Sequence, residues 1–182
     1  MRIIAGSAKG HKLSTFAGDR IRPTTDRVRE SLFSMLGNIE GAAVVDGFAG
    51  SGALGLEALS RGASIGYFFD DSRQAIETVT DNAQRTGLTE RSRIHQCTFE
   101  LGLRQIVEGT PDLWFVDPPY HTDLARRALV AMSQATSVVT PGALVVWESD
   151  RREELFDVEH FEVTRQREYG RTRLVFLRRS ND

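Results

Sequence analysis

Five short runs of strand character, at 43–46, 65–69, 92–97, 113–116 and 143–147, recur along the chain with stretches of helical periodicity between them. Strands that alternate with helices in this way pack side by side in parallel, with helices covering both faces. The pattern therefore predicts a parallel α/β sheet, with helices over about 53–61, 73–86, 99–108 and 123–135. Two further segments, 161–167 and 171–177, alternate around a turn at Tyr169 and Gly170 and read as a closing antiparallel hairpin. Ahead of the sheet, 2–5 and 11–16 flank a loop with Gly6, Ser7, Lys9 and Gly10 and read as a short β-ribbon with a basic exposed side. From Thr24 or Thr25 to Leu36, the spacing of Val28, Leu32, Phe33, Met35 and Leu36 predicts an amphipathic helix that stops at Gly37.

A chain of 182 residues that is 40% hydrophobic fills one core, so a single main domain over 21–182 with an N-terminal β-hairpin extension over 1–20 is expected. No apolar stretch reaches the roughly 20 residues that cross a bilayer, and no N-terminal apolar segment reads as a signal, so a cytoplasmic protein is expected. One cysteine, Cys97, allows no intrachain disulfide, in keeping with a reducing compartment. The formal net charge of −2 is unevenly spread: residues 1–36 carry seven Lys plus Arg against three acids, and 165–179 carry six against one. Two basic ends around an acidic middle suit a polyanionic partner, or are two solvated charged faces.

In a parallel sheet a ligand sits beyond the carboxyl ends of the strands, where strand order reverses. The first strand runs into Asp46-Gly47-Phe48-Ala49-Gly50-Ser51-Gly52. Gly50 and Gly52 remove side chains where a ligand must approach the backbone, and the helix that follows offers free N–H groups. Asp70 closes the second strand, where a carboxylate can accept both hydroxyls of a ribose; Asp71 is a weaker candidate. With Gly55 these glycines complete a G-x-G-x-x-G pattern that suits NAD, S-adenosylmethionine, or simply a tight turn. The fourth strand ends in Asp117-Pro118-Pro119-Tyr120, which points to methyl transfer onto an amino nitrogen. The lone pair of a nucleobase amine is delocalised into its ring, so a catalyst must hold that nitrogen. Asp117 and the Pro118 carbonyl can each accept one N–H, consecutive prolines stiffen the loop, and Tyr120 offers a flat face for the base. Stacking predicts a marked loss for Tyr120→Ala and a small one for Tyr120→Phe.

The blocks Met1-Arg2-Ile3-Ile4, Arg22-Pro23-Thr24-Thr25-Asp26-Arg27-Val28-Arg29-Glu30, the run from Phe48 through Gly50-Ser51-Gly52 to Ala63, and Asp117-Pro118-Pro119-Tyr120 together resemble the bacterial RsmD family. Those enzymes are guanine-N2 methyltransferases of small-subunit ribosomal RNA. The resemblance implies a seven-stranded Rossmann-like class I methyltransferase sheet and S-adenosylmethionine as donor. It implies that Asp46, Gly50 and Gly52 line the methionine part of the donor, Asp70 its ribose, and Asp117 with Tyr120 the target base. Phe48, Asp71 and Thr98 complete the candidate cofactor set, and the segment 22–30 is expected at the mouth of the site. Gly47 stands where the family usually has an apolar residue, which predicts a looser loop. Asp70 stands where it commonly has Glu, and Cys97-Thr98 where it often has Gly-Asp.

Lys9, Lys12, Arg20, Arg22 and Arg27 are the candidate phosphate contacts, with Arg171 and Arg173 behind them. His11, His95, His121 and His160 have no ligand spacing, so no metal is expected. Cys97 lacks the setting of a cytosine-C5 nucleophile. Glu148, closing the fifth strand, faces the site or caps its rim. The expected partner is ribosomal RNA, free or within a 30S subunit or assembly intermediate, and the expected state is a monomer. The same corner motif also serves adenine-N6 and cytosine-N4 methylation in DNA or RNA; an NAD-dependent oxidoreductase and a silent RNA-binding module are the more distant alternatives.

Overall fold

A computed structural model describes residues 1–16 and 26–181. Seven strands form one sheet: β1 (Ala43–Asp46), β2 (Ile65–Asp70), β3 (Ser92–Gln96), β4 (Leu113–Val116), β5 (Leu144–Asp150), β6 (Phe161–Tyr169) and β7 (Thr172–Arg179). Their spatial order is β3-β2-β1-β4-β5-β7-β6. The first five strands pair in parallel, whereas β7 runs antiparallel between β5 and β6. Strand order reverses between β1 and β4, so the glycine-rich turn after β1 and the proline corner after β4 leave the sheet side by side.

Both faces are covered, because apolar side chains alternate from one face to the other along each strand. Val44, Phe68, Phe115 and Phe176 join one core, packed by α1 (Asp26–Leu36), α2 (Ala53–Ser60) and α3 (Arg73–Arg85). Val45, Phe69, Trp114 and Val175 join the other, packed by α4 (Phe99–Gly102) and α5 (Leu124–Gln134). Among the described residues no helix is long and apolar enough to cross a membrane.

The expected N-terminal ribbon shrinks to a single antiparallel bridge between Arg2 and Lys12. Ile3 still exchanges backbone hydrogen bonds with His11 and Gly10, and Leu13 N–H donates to the Met1 carbonyl, while side chains of the main fold take the backbone groups that follow. The buried carboxylate of Glu57 accepts Ile4 N–H at 2.7 Å and Ala5 N–H at 3.0 Å, and Ser60 Oγ donates to the Ala5 carbonyl at 2.6 Å. Gly6 passes so close that a Cβ there would lie 1.8 Å from the Ser60 carbonyl oxygen, and its φ of +84° is a glycine conformation. Ser14 is held on both backbone groups by Asn82, at 2.7 and 3.0 Å. Ile3, Ala8 and Leu13 enter the same core as α1 and α2.

Elsewhere element types match expectation and lengths differ. The helix expected over 99–108 ends at Gly102 and continues only as a 3-10 turn, Leu103–Gln105. Gly102 is pressed on the Phe69 ring, and Tyr67 Oη then binds both backbone groups of Glu108 at 2.9 Å, holding that stretch out of a helix. β5 reaches Asp150 because β7 pairs with it to the end. The N-terminal cap expected at Thr24 or Thr25 lies outside the described residues; Gly37 takes a φ of +72° where α1 stops.

Candidate active site

Backbone hydrogen bonds tie the strand ends into one rim. Gly47 N–H donates to the Phe115 carbonyl at 3.0 Å, Ala49 N–H to Phe69 at 2.9 Å, and Cys97 N–H to Asp70 at 3.0 Å. Above this rim lies a cavity of about 520 Å³, a size that suits a nucleoside-bearing cofactor. Asp46, Phe48, Gly50, Asp70, Asp71, Thr98 and Asp117 all line it, from residues scattered over more than seventy positions of the chain.

Asp70 organises the glycine turn. Its Oδ2 accepts Gly50 N–H and its Oδ1 accepts Ser72 N–H, each at 2.9 Å. A carboxylate has about four acceptor positions, so two remain to accept from a ligand. Gly50 and Gly52 take φ of +52° and +78°, which brings the turn back over β1 and starts α2. Asp46 is sealed beneath this turn and accepts Gly55 N–H at 2.9 Å. Burial, partly offset by that bond and reinforced by the charge of Asp70, pushes its carboxyl up to about 7.

The loop at Gly47 is tight, which corrects the expectation of a looser one. A Cβ there would lie 2.3 Å from Phe99 Cε2, so the absent side chain is where the Phe99 ring sits. Phe99 in turn stacks on Phe48, with centroids 5.6 Å apart and planes 13° from parallel. The Phe99 ring thus fills the space a side chain at 47 would take.

The proline corner closes on itself. Thr122 Oγ1 donates to the Pro119 carbonyl at 2.7 Å, and Pro118 is buried. Tyr120 stands beside the cavity rather than on its wall, and its hydroxyl donates to Glu148 Oε1 at 3.0 Å. Glu148, left open between site and rim by its position in the chain, is the anchor of that ring.

Gly52 and Pro118 support the walls without lining them. Lys9, Lys12 and Arg27 are exposed and outside the cavity, while Arg20 and Arg22 lie outside the described residues. Of the C-terminal cations, Arg173 turns inward: its side chain is 13% exposed and bonds the carbonyls of Glu153 and Arg151. Arg171 pairs with Asp150 at 2.9 Å, and Arg179 binds the carbonyls of Met132 and Ser133. Arg173 and Arg179 thus hold the fold, whereas Arg165, Arg167, Arg171 and Arg178 are exposed.

The family model described as Conserved hypothetical protein 95 matches residues 1–178. Ribosomal RNA small subunit methyltransferase D of Haemophilus influenzae is 31% identical over 173 residues, covering 93% of this chain and 89% of the relative. The Escherichia coli protein of the same name is 40% identical over 131 residues, covering 71% of this chain and 65% of the relative. The chain belongs to the RsmD family. The solved structure of yhhF from Escherichia coli is similar to it at a TM-score of 0.86 and 33% identity, over 100% of this chain and 99% of that one. An RNA methyltransferase from Salinibacter ruber, solved in complex with S-adenosyl-L-homocysteine, has a TM-score of 0.65 at 13% identity, covering 88% of this chain and 95% of that one, a likeness of fold.

Asp70 reaches the glycine turn directly, and Cys97 and Thr98 stay on the cavity wall. Arg29 lines the cavity from the segment 22–30 that the resemblance puts at its mouth, and Met1, Phe16, Ser51, Gln74, Leu124 and Arg127, which had no predicted role, line it too. Arg29 also shares the inward stripe of α1 with Val28, Leu32 and Phe33, an odd place for a charge.

Proposed function

We propose that this chain methylates the exocyclic N2 of a guanine in small-subunit ribosomal RNA, with S-adenosylmethionine as donor. The observation that carries the reading is that Asp117 of the proline corner shares one cavity with Asp46, Gly50 and Asp70 of the glycine turn. A hydride-transfer enzyme has no use for that corner, and membership of the RsmD family removes the nicotinamide alternative. The donor set fits the cofactor: a carboxylate with lone pairs to spare, a backbone turn open to close approach, and the stacked Phe48 and Phe99.

When bound, the donor supplies an electrophilic methyl group on a sulfonium. Asp117 accepts one N–H of the target amine and the Pro118 carbonyl accepts the other, which favours a pyramidal nitrogen with its lone pair presented. Tyr120, anchored by Glu148, offers its ring to a base taken out of its stack. Positioning reactants this way saves on the order of 7–11 kcal/mol, against a few for unstacking a base. Lys9, Lys12 and Arg27 contact phosphates, together with Arg20 and Arg22. The protein acts in the cytoplasm, as a monomer, on free RNA or on a 30S particle.

The test is labelled-donor methylation of undermodified small-subunit particles, protein-free ribosomal RNA and duplex DNA, followed by nucleoside identification. N2-methylguanosine from the ribosomal substrates is expected. Label in N6-methyladenosine or N4-methylcytidine would replace the acceptor, and RNA binding without transfer would reduce the chain to a binding module.

A further inference from the structure

β6, at the edge of the sheet, is exposed from Glu162 to Glu168, and its two faces carry different charges. Arg165 stands opposite Phe176 on β7, and Arg167 opposite Leu174. Cross-strand partners share a face, and Phe176 and Leu174 belong to the core under α1, α2 and α3, so both arginines project on that side of the sheet. Gln166 and Glu168, opposite Val175 and Arg173, project on the other, where Arg173 meets Glu168 at 3.4 Å. A bulge between Val163 and Arg165 resets the alternation, and beyond it Glu162 lies opposite Arg178. The side chain of Arg165 has no hydrogen bond or ion pair among the described residues, and that of Arg167 has one bond, to the Gln166 carbonyl at 2.9 Å.

Residues two apart on one face of a strand stand about 7 Å apart, inside the 8–10 Å or so over which charges act in physiological salt. Two guanidinium groups at that spacing repel each other. A row of phosphates at comparable spacing supplies the missing negative charge, and a guanidinium matches phosphate oxygens better than any other side chain does. The row also leads to the site. The hairpin turns at Gly170, Thr172 pairs with Asp150 at the carboxyl end of β5, and Thr172 Oγ1 lies 3.4 Å from the Tyr120 hydroxyl. Between the turn and Arg167, the hydroxyls of Tyr169 and Ser31 of α1 hydrogen-bond at 2.5 Å. The exposed Arg27 precedes Ser31 by one helical turn on the same row of α1, so Arg27, Arg167 and Arg165 follow one another down one side of the molecule. We propose that Arg165 and Arg167 hold phosphates of the ribosomal RNA strand that continues from the target nucleotide. The inference rests on the RNA reading above and adds the outer strand of the sheet to the substrate footprint. An acidic protein surface fits less well, because protein interfaces centre on apolar side chains, and the exposed apolar residue of β6, Val163, lies opposite Leu177 on the other face.

Equilibrium binding of protein-free small-subunit ribosomal RNA over a series of salt concentrations tests this without turnover. In the double variant Arg165→Gln with Arg167→Gln, the slope of log affinity against log salt should shrink by about one unit per arginine. Arg165→Lys with Arg167→Lys should keep most of the slope, because the contact depends on charge. Arg104→Gln removes an exposed charge beside Leu103, on the α4 and α5 side, and should keep the wild-type slope. The glutamine pair should bind S-adenosylhomocysteine as the wild type does, since both positions lie outside the cavity. An undiminished slope in the glutamine pair overturns the proposal, as does an equal fall in Arg104→Gln, which would leave only net charge at work. A fall seen with duplex DNA but not with the RNA overturns it in favour of DNA, and one seen with small-subunit particles but not with free RNA overturns it in favour of an acidic ribosomal protein. Methyl transfer to the RNA with the slope unchanged retires this inference and keeps the reading beneath it. A wild-type chain that neither binds nor methylates ribosomal RNA sinks both.

Discussion

The hydroxyl of Tyr120 donates to Glu148 Oε1 at 3.0 Å, so the last residue of the proline corner is pinned to the buried end of β5. Thr172 Oγ1, opposite on β7, lies 3.4 Å from the same hydroxyl. The ring that is to receive a base is thereby oriented by the antiparallel half of the sheet.

That anchor changes what Tyr120→Phe should do. Stacking alone predicts that Phe serves nearly as well, but losing the bond leaves a buried carboxylate one donor short, at a cost of about 1–3 kcal/mol. We expect Tyr120→Phe to slow single-turnover methylation about 5-fold and Tyr120→Ala about 50-fold, the latter from lost stacking as well. Equal rates for wild type and Tyr120→Phe would make the contact with Glu148 irrelevant to the ring.

Asp46 should govern a pH dependence of stability. Its folded pKa of about 7 lies above the ordinary value of 3.8, so between those pH values the native state keeps a proton that the unfolded chain has released. Stability is then highest below about pH 4 as far as this group is concerned, and falls as pH rises towards 7. Asp46→Asn keeps an acceptor for Gly55 N–H and removes the charge. It should raise stability at pH 8 by an order of a few kcal/mol and flatten the profile between pH 4 and 7. Chemical denaturation across that range reads it directly; an unchanged profile would show that Asp46 is ionised without penalty.

Asn82 should be disproportionately important for a residue that never touches the cavity. It is fully buried, and it binds Ser14 twice and the Ser51 carbonyl once, at 2.7, 3.0 and 2.9 Å. Asn82→Ala strands those groups and should cost about 3 kcal/mol, or roughly 6–12 °C in Tm for a domain of this size. Because Ser51 belongs to the glycine turn, affinity for S-adenosylhomocysteine should fall in the same variant. Weakened melting with intact affinity would separate the N-terminal clamp from the turn.

Gly47 and Phe99 form a coupled pair. A side chain at 47 meets the Phe99 ring at 2.3 Å, so Gly47→Leu alone should destabilise by about 1–3 kcal/mol through overpacking. Adding Phe99→Ala, which clears that space, should recover much of the loss, giving a coupling energy above about 0.5 kcal/mol in a double-mutant cycle. Additive effects would show that a side chain at 47 and the Phe99 ring do not compete for that space.

Strands, most helices, the glycine turn and the proline corner were legible in the chain because periodicity and turn chemistry are local: they depend on residues within a few positions of one another. The order β3-β2-β1-β4-β5-β7-β6 is what then places the two motifs on one cavity. Everything that failed to show required a contact across long sequence separation. Residues 2–5 have the composition of a strand, yet pairing ends at Ile3, because Glu57 and Ser60, more than fifty positions away, take the backbone groups of Ile4 and Ala5. Phe69 and Tyr67 cut short a helix whose own pattern would continue. The raised pKa of Asp46, the anchoring of Tyr120 and the burial of Arg29 share that origin. Burial and partner are properties of the assembled layers, and no window of sequence contains both the group and what surrounds it.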